Sequence, residues 1–347
     1  MKFRLTLSFF TLLILTGCER APEVYRDQFL AFGTIVSISI WDSSEEQSLK
    51  ASRVIRDDFA AMHDTWHAWK RGGLLSEINQ AFADGAPIQI ASEASSLLKK
   101  TALLSRQSGA LFNPAIGNLI ALWGFHGEEW SGPPPSQEEI DILIQNSPSM
   151  DGLQFNNGTV SSNNRNIKID LGGIAKGYAV DRAITKLKSL GIKNAIVNTG
   201  GDLRAIGNRG ESAWSIGIQS PDGKGAIASI NPQNDESIFT SGDYERMFIY
   251  AGKRYHHIIN PKTGWPATGA RSATVIHSDA MVADAAATAM LIASPEERSM
   301  VAAQMGIRYV LVIGEDGIFY MTTEMQDRLH FQQDTTPKIR QLNYKNP

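Results

Sequence analysis

Residues 166–191 read NIKIDLGGIAKGYAVDRAITKLKSLG. From 166 to 171 apolar and polar residues alternate, which predicts a strand. Gly172-Gly173 breaks it, and Val180, Ile184, Leu187 and Leu190 then recur at helical spacing up to a stop at Gly191. A carboxylate, Asp170, thus ends a strand, two glycines permit close backbone approach, and a helix begins. Such a helix start exposes backbone N–H groups and suits an anionic ligand. It is not a Walker loop, since Tyr178 and Ala179 stand where Lys and Ser/Thr belong, and it is not G-x-G-x-x-G. On local pattern alone the segment reads as a tight strand–helix turn that needs glycine for its backbone angles.

Outward from this unit, strands are predicted at 32–41, 194–198, 203–206, 214–219, 227–230, 247–250, 254–259 and 272–277, with a hairpin over 309–321. Helices are expected over 45–69, 93–108 and 281–292. Gly72-Gly73 breaks the first of them, residues 131–136 (SGPPPS) form a loop, and 156–166 is turn-rich. No internal repeat is visible. Helices and strands mix without steady alternation, which favours an α+β fold with mixed or antiparallel sheets and packed helices over a doubly wound parallel sheet.

The N-terminus has a different character. Lys2 and Arg4 precede a short apolar run, followed by Leu15-Thr16-Gly17-Cys18. That pattern describes a secretory signal over 1–17, too short to span a bilayer. Cys18, the only cysteine in the chain, stands where a lipoprotein signal is cut and acylated. An internal disulfide is therefore excluded. Residues 18–28 read as a polar tether, 29–325 as the folded unit and 326–347 as a polar tail. With 42% hydrophobic and 20% charged residues and a net charge of −3, the chain can bury a large core and gives no reason to propose nucleic acid as a partner.

Two more segments carry chemistry. Thr240-Ser241-Gly242-Asp243-Tyr244-Glu245-Arg246 precedes Arg254-Tyr255-His256-His257-Ile258-Ile259-Asn260-Pro261. On a strand, adjacent histidines face opposite ways, so one enters a site while the other does not. Asp284-Ala-Ala-Ala-Thr288 places a carboxylate and a hydroxyl on one helix face. These are hard oxygens, suited to Mg²⁺ rather than a soft metal, although two ligands alone do not make a site.

Together the stretches DLGGIAKGYAVDRA (170–183), NTGGDLRAIG (198–207), TSGDYER (240–246), RYHHIINPKTGWPA (254–267) and DAMVADAAATA (279–289) resemble the ApbE family, the FAD:protein FMN transferases. The resemblance covers most of 30–322 and adds looser matches at 32–34 and 108–127. It implies an α+β fold with the FAD site in a cleft between sub-domains. It also implies that Asp170 and Lys176 contact FAD, that the Gly173 carbonyl, Asp284 and Thr288 hold Mg²⁺, and that His257 lies beside the FAD pyrophosphate as the general base. Phe32, Trp66 and Leu111-Phe112-Asn113 match flavin-pocket positions. Phe32 replaces the usual methionine, Trp66 falls where a tyrosine is common, and Asn113 replaces the usual aspartate. Trp69 is an alternative for the place given to Trp66.

The activity so implied is Mg²⁺-dependent transfer of the FMN half of FAD to a Thr or Ser hydroxyl of an acceptor protein, with release of AMP. The implied acceptors are flavin-carrying subunits of membrane electron-transfer complexes, such as the sodium-pumping NADH:quinone oxidoreductase (Nqr) or its Rnf relatives. They would be met on the periplasmic side by an enzyme anchored to the membrane through a lipid. The alternatives are a lipoprotein that binds or delivers FAD without catalysis, and an FAD pyrophosphatase yielding FMN and AMP.

Overall fold

A computed structural model describes residues 23–127, 132–233 and 235–343. Cys18 and the signal segment lie outside the described residues. Nine strands form one sheet: Tyr25–Ala31, Thr34–Trp41, Asn194–Thr199, Asp202–Ile206, Glu236–Gly242, Ala270–His277, Tyr309–Gly314, Ile318–Met321 and Lys338–Gln341. Their order in space is their order along the chain. Neighbours are antiparallel except the last pair, which is parallel. A sheet that grows strand by strand keeps sequence neighbours adjacent and lets helices be inserted between them.

The sheet is buried on both faces. Val310 and Val312 enter a core shared with the helices, while Leu311 and Ile313 enter a second core with Trp214, Ile218 and Ile230. The second core is closed by a small sheet of Ile216–Gln219, Ala226–Ile230 and His330–Phe331. This is why YVLVIG (309–314) is apolar without alternation.

The helices are α1 (Glu45–Thr65), α2 (Leu74–Asp84), α3 (Ser92–Gln107), α4 (Gly117–Leu122), α5 (Gln137–Gln145), α6 (Ala175–Ser189), α7 (Ala280–Ile292), α8 (Arg298–Gln304) and α9 (Thr323–Gln326). Helix α7 is buried nearly all round, against the strands Glu236–Gly242 and Ala270–His277 and against α6. Its apolar residues circle the axis, as a core helix requires. A third cluster is aromatic: Trp123, Phe125, Phe248 and Tyr255 join α4, α5 and the hairpin Met247–Tyr250/Lys253–His256. The site lies where this aromatic unit meets the α6–α7 layer.

Several expectations are corrected. Residues 166–171 are extended but form no ladder strand. Their backbone bonds go instead to an isolated bridge, Ile116 with Lys168, to the Pro114 carbonyl, and to Asn79, whose amide pairs with both N–H and C=O of Ile169. The tether ends early, because Tyr25–Ala31 is already paired along Thr34–Trp41. The tail is polar but not loose: Lys338–Gln341 adds to Ile318–Met321. Backbone pairing does not require apolar side chains, and an exposed polar edge strand protects against further pairing. Among the described residues no helix is long and apolar enough to cross a membrane.

Candidate active site

Helix α6 starts at Ala175 with no side-chain cap of its own, since Ile174 precedes it. The cap comes from α7. Asp284 Oδ2 accepts the Gly177 N–H at 2.9 Å, which satisfies an orphan donor and sets a carboxylate at the positive helix end. The helices come this close because Gly177 lacks a side chain. A Cβ there would lie 2.5 Å from the Ala280 carbonyl oxygen and 2.8 Å from Met281 Cα. At the far side of the junction Asp181 accepts the N–H groups of Ala280 and Met281.

One turn beyond Asp284, Thr288 faces the same way as the i, i+4 spacing predicts. Its Oγ1 is 3.3 Å from Ser241 Oγ and would be 3.3 Å from a Cβ on Gly173. Gly173, Asp284 and Thr288 are therefore brought together. Burial and the nearby Asp202 carboxylate push the Asp284 carboxyl up to about 7. Among the described residues no three His, Cys, Asp or Glu side chains gather as a metal nest. A single carboxylate, with a hydroxyl one turn on and the Gly173 backbone packed against that hydroxyl, makes a partial set of hard oxygens. That fits Mg²⁺, which keeps waters and takes substrate phosphates as its remaining ligands, better than it fits a fully caged ion.

Lys176 occupies the first turn of α6, where the helix dipole disfavours a cation. Its ammonium is instead ion-paired with Asp202. Asp202 is 3% exposed, and its other oxygen accepts the Thr240 N–H at 2.8 Å. Asp284 and Glu245 also act on Lys176. Burial disfavours the Lys176 charge, but these three carboxylates outweigh it and hold the ammonium above its ordinary range.

The two histidines separate as the strand argument requires. His256 Nε2 meets the Ala267 carbonyl at 2.8 Å and its Nδ1 accepts the Ile258 N–H at 3.3 Å, so both ring nitrogens are committed. His257 uses one: Nδ1 meets the Arg246 carbonyl at 3.2 Å. A carbonyl only accepts, so Nδ1 carries the proton and the neutral ring presents its lone pair at Nε2. Burial and the Arg246 cation push the His257 imidazole down to about 3, so it is unprotonated at neutral pH. Its ring packs 6.4 Å from Phe125, in the aromatic unit.

Phe32 and Trp66 share one apolar pocket with Tyr178, Met62, Leu97 and Leu171. Phe32 stands at φ 52° in the two-residue turn before Thr34–Trp41. That conformation is rare for a bulky residue and is held by ring contacts at 5.6 Å to Phe59 and 5.9 Å to His63. Leu111 to Asn113 do not line this pocket. Phe112 would meet a Gly173 Cβ at 3.3 Å, and Leu111 is 2% exposed in the main core. The Asn113 amide is spent internally: Nδ2 donates to the Pro148 carbonyl at 2.8 Å and Oδ1 accepts the Ala115 N–H at 3.1 Å. An ionised aspartate could not make the first of these.

Trp69 takes a place of its own. Its indole N–H donates to Asp170 Oδ2 at 2.9 Å, Lys168 Nζ lies 3.8 Å from its ring centre, and His126 packs at 4.8 Å. Asp170 Oδ1 accepts the Gly172 N–H at 2.7 Å. Trp66 thus belongs to the pocket and Trp69 to the cover over Asp170.

The sequence model of the ApbE family matches residues 32–311. This chain belongs to the ApbE family. It is 36% identical over 332 residues to an FAD:protein FMN transferase of Rhodobacter capsulatus, a match covering 94% of this chain and 63% of that longer protein. It is 30% identical to one from Vibrio cholerae, over 87% of this chain and 91% of that one. Among solved structures, the ApbE protein of Thermotoga maritima superimposes with a TM-score of 0.81 at 31% identity, covering 88% of this chain and 99% of the other. The flavin transferase ApbE of Vibrio cholerae gives 0.78 at 27% identity, over 88% and 99% of the two chains.

Within this ApbE fold, sequence reasoning missed Asp202, Ser241, Glu245 and Tyr178 as site residues. Asp202 carried a signal: an acid directly after Gly200-Gly201 opens a strand whose other residues are mostly buried. Tyr178 and Ser241 lie within the 170–183 and 240–246 stretches, but only the fold brings them beside Trp66 and Thr288.

Proposed function

We propose that this chain is an FAD:protein FMN transferase. It moves the FMN half of FAD onto a Thr or Ser hydroxyl of an acceptor protein. What supports the reading is the α6 start with Asp284 on the Gly177 N–H, Thr288 beside Gly173, and a His257 imidazole close enough to feel the Lys176 charge on that helix. In the reaction the acceptor oxygen forms a bond to the riboflavin-side phosphorus. The bond from that phosphorus to the bridging oxygen breaks, and AMP departs with that oxygen. The hydroxyl proton passes to His257 Nε2, a step in which such a base contributes roughly 10²–10⁴-fold. Asp284, Thr288 and the Gly173 carbonyl would hold Mg²⁺, which supplies charge neutralisation for the pyrophosphate and the leaving group. The pocket of Phe32, Trp66 and Tyr178 packs the flavin, and the anionic bridge would meet the ion at the α6 start, where the Ala175 and Gly177 N–H groups are already taken by the Leu171 carbonyl and Asp284.

The test uses the protein purified without residues 1–18, FAD, Mg²⁺ and a flavin-carrying subunit of an Nqr- or Rnf-like complex. An in-gel fluorescent band at the acceptor's mass, dependent on Mg²⁺ and accompanied by AMP, is the expected result. FMN and AMP formed equally fast without acceptor would instead make the chain a pyrophosphatase, and FAD binding without either product a carrier. Cys18 and the signal motivate a periplasmic, lipid-anchored location. Mass spectrometry of the mature N-terminus from cells should find an acylated cysteine, and an unmodified N-terminus elsewhere would refute the anchor.

A further inference from the structure

Lys176 is the cation nearest the α6 start, yet its charge is not available. Its ammonium is paired with Asp202, and Asp284 and Glu245 face it as well. Two cations, Lys176 and the Arg246 guanidinium that acts on Glu245, stand against three carboxylates, which leaves this end of the cleft acidic by one charge when all three are ionised. An anionic pyrophosphate entering alone meets net repulsion, and a divalent cation reverses the sign. Asp202 is built to hold this state. It is nearly fully buried, and one oxygen is fixed by the Thr240 N–H. The next residue on that strand, Ser241, reaches Thr288.

We infer that Asp202 is a positioning residue that makes FAD binding depend on the divalent ion, by keeping the Lys176 ammonium paired until that ion is present. The inference rests on the reading of FAD as substrate. It yields a gain of binding where a structural role yields only a loss. Asp202→Asn keeps an oxygen for the Thr240 N–H and presents an amide N–H₂ to Lys176, which frees the ammonium for the pyrophosphate.

The experiment is an FAD titration by flavin fluorescence, in chelator and in Mg²⁺, on the wild type, Asp202→Asn and the double variant Asp202→Asn/Lys176→Met. In chelator, Asp202→Asn should bind FAD about tenfold more tightly than wild type, the scale of one unscreened charge contact. The enhancement produced by Mg²⁺ should shrink, and the double variant should lose the gain. Equal or weaker binding by Asp202→Asn in chelator overturns the inference, as does a gain that persists without Lys176. Should Asp202→Asn fail to fold by its melting curve, Asp202→Ser carries the same comparison. A wild type that neither binds FAD nor flavinylates an acceptor removes the reading of the site and this inference together. A wild type that does both, beside an Asp202 variant without gain, removes the inference alone.

Discussion

The two halves of the site are built in different ways. The half proposed for the metal is a backbone-to-backbone junction: Gly177 against Ala280, Asp284 on the Gly177 N–H, Asp181 on the first N–H groups of α7. The half proposed for the base follows a short hairpin, with the His257 backbone N–H and Nδ1 both on the Arg246 carbonyl and the ring beside Phe125. Small residues and satisfied helix ends fix atoms to tenths of an ångström, because any shift breaks several contacts at once. A ring on a hairpin keeps freedom to adjust to a second substrate. On the proposed function, this difference would give preorganisation to the ion and pyrophosphate, and adaptability to the meeting with an acceptor protein.

The largest effect should come from the rigid half. Asp284→Ala is expected to leave no measurable transfer at millimolar Mg²⁺, whereas Thr288→Val retains part of it, since a hydroxyl brings a dipole and a carboxylate a full charge. The same carboxyl predicts a pH dependence. Its folded pKa is raised to about 7 from 3.8. For the metal-free protein, this group's contribution to stability is fully present below about 3.8 and is lost as pH rises through about 7. Mg²⁺ affinity runs the other way, rising with pH to a plateau above about 7 as the competing proton leaves. Melting curves with and without Mg²⁺ from pH 4 to about 8 check both signs, and Asp284→Asn should flatten both slopes. Unchanged slopes would separate Asp284 from the ion.

The base half should respond more narrowly. His257→Ala is expected to lose about 10²–10⁴-fold in transfer rate with little change in FAD affinity. His256→Ala should keep most of the rate but melt lower, because it leaves the Ala267 carbonyl and the Ile258 N–H without partners. Time courses of flavinylation, paired with FAD titration and melting curves, distinguish the two. A dead His256→Ala with wild-type stability would reverse the assignment.

This contrast also shows what a sequence can and cannot say. The turn 170–177, the i, i+4 pair on α7 and the opposed histidines are local, and each was legible from spacing. Many of the strands around them were legible too, but Tyr25–Ala31, Thr159–Ser162, Glu236–Gly242 and Lys338–Gln341 were not; ESIFTSG (236–242) mixes polar residues because that strand also lines the site. Helices α2 and α5 were missed because each is short and follows a Gly- or Pro-rich break. The strand read at 166–171 failed for a different reason. Alternation records which side chains are buried, not who takes the backbone bonds, and here Asn79 and the 114–117 segment take them. Asp202 and Ser241 entered the site only through strand neighbours far apart in sequence.

A smaller effect tests the junction itself. Gly177→Ala raises helix propensity by about 1 kcal/mol, yet its Cβ would collide with backbone atoms of Ala280 and Met281, which cannot rotate away. The variant should be net destabilised by about 1–3 kcal/mol and should bind Mg²⁺ more weakly, since the Gly177–Asp284 bond is part of the same contact. Denaturant melts and Mg²⁺ titration check this, and a stabilised variant with wild-type Mg²⁺ affinity would mean that the helices are not locked.

The smallest effect belongs to a residue that the resemblance places in the flavin pocket and the structure turns elsewhere. Asn113 donates to the Pro148 carbonyl and accepts from the Ala115 N–H. Restoring the family's aspartate keeps the second bond, loses the first, and sets a carboxylate oxygen against a carbonyl oxygen. The position is only half-buried, so water relieves part of that repulsion, and the cost should be about 1 kcal/mol. Asn113→Asp is thus expected to lower the melting temperature by a few degrees while FAD affinity and transfer rate stay within about twofold of wild type. Because the lost contact needs a donor, Asn113→Asp should recover stability as pH falls below the carboxyl pKa and the protonated group donates again, whereas Asn113→Ala should not. A variant with unchanged melting temperature and altered FAD affinity would show that this side chain faces the flavin after all, and would move residue 113 from the scaffold of the site into its lining.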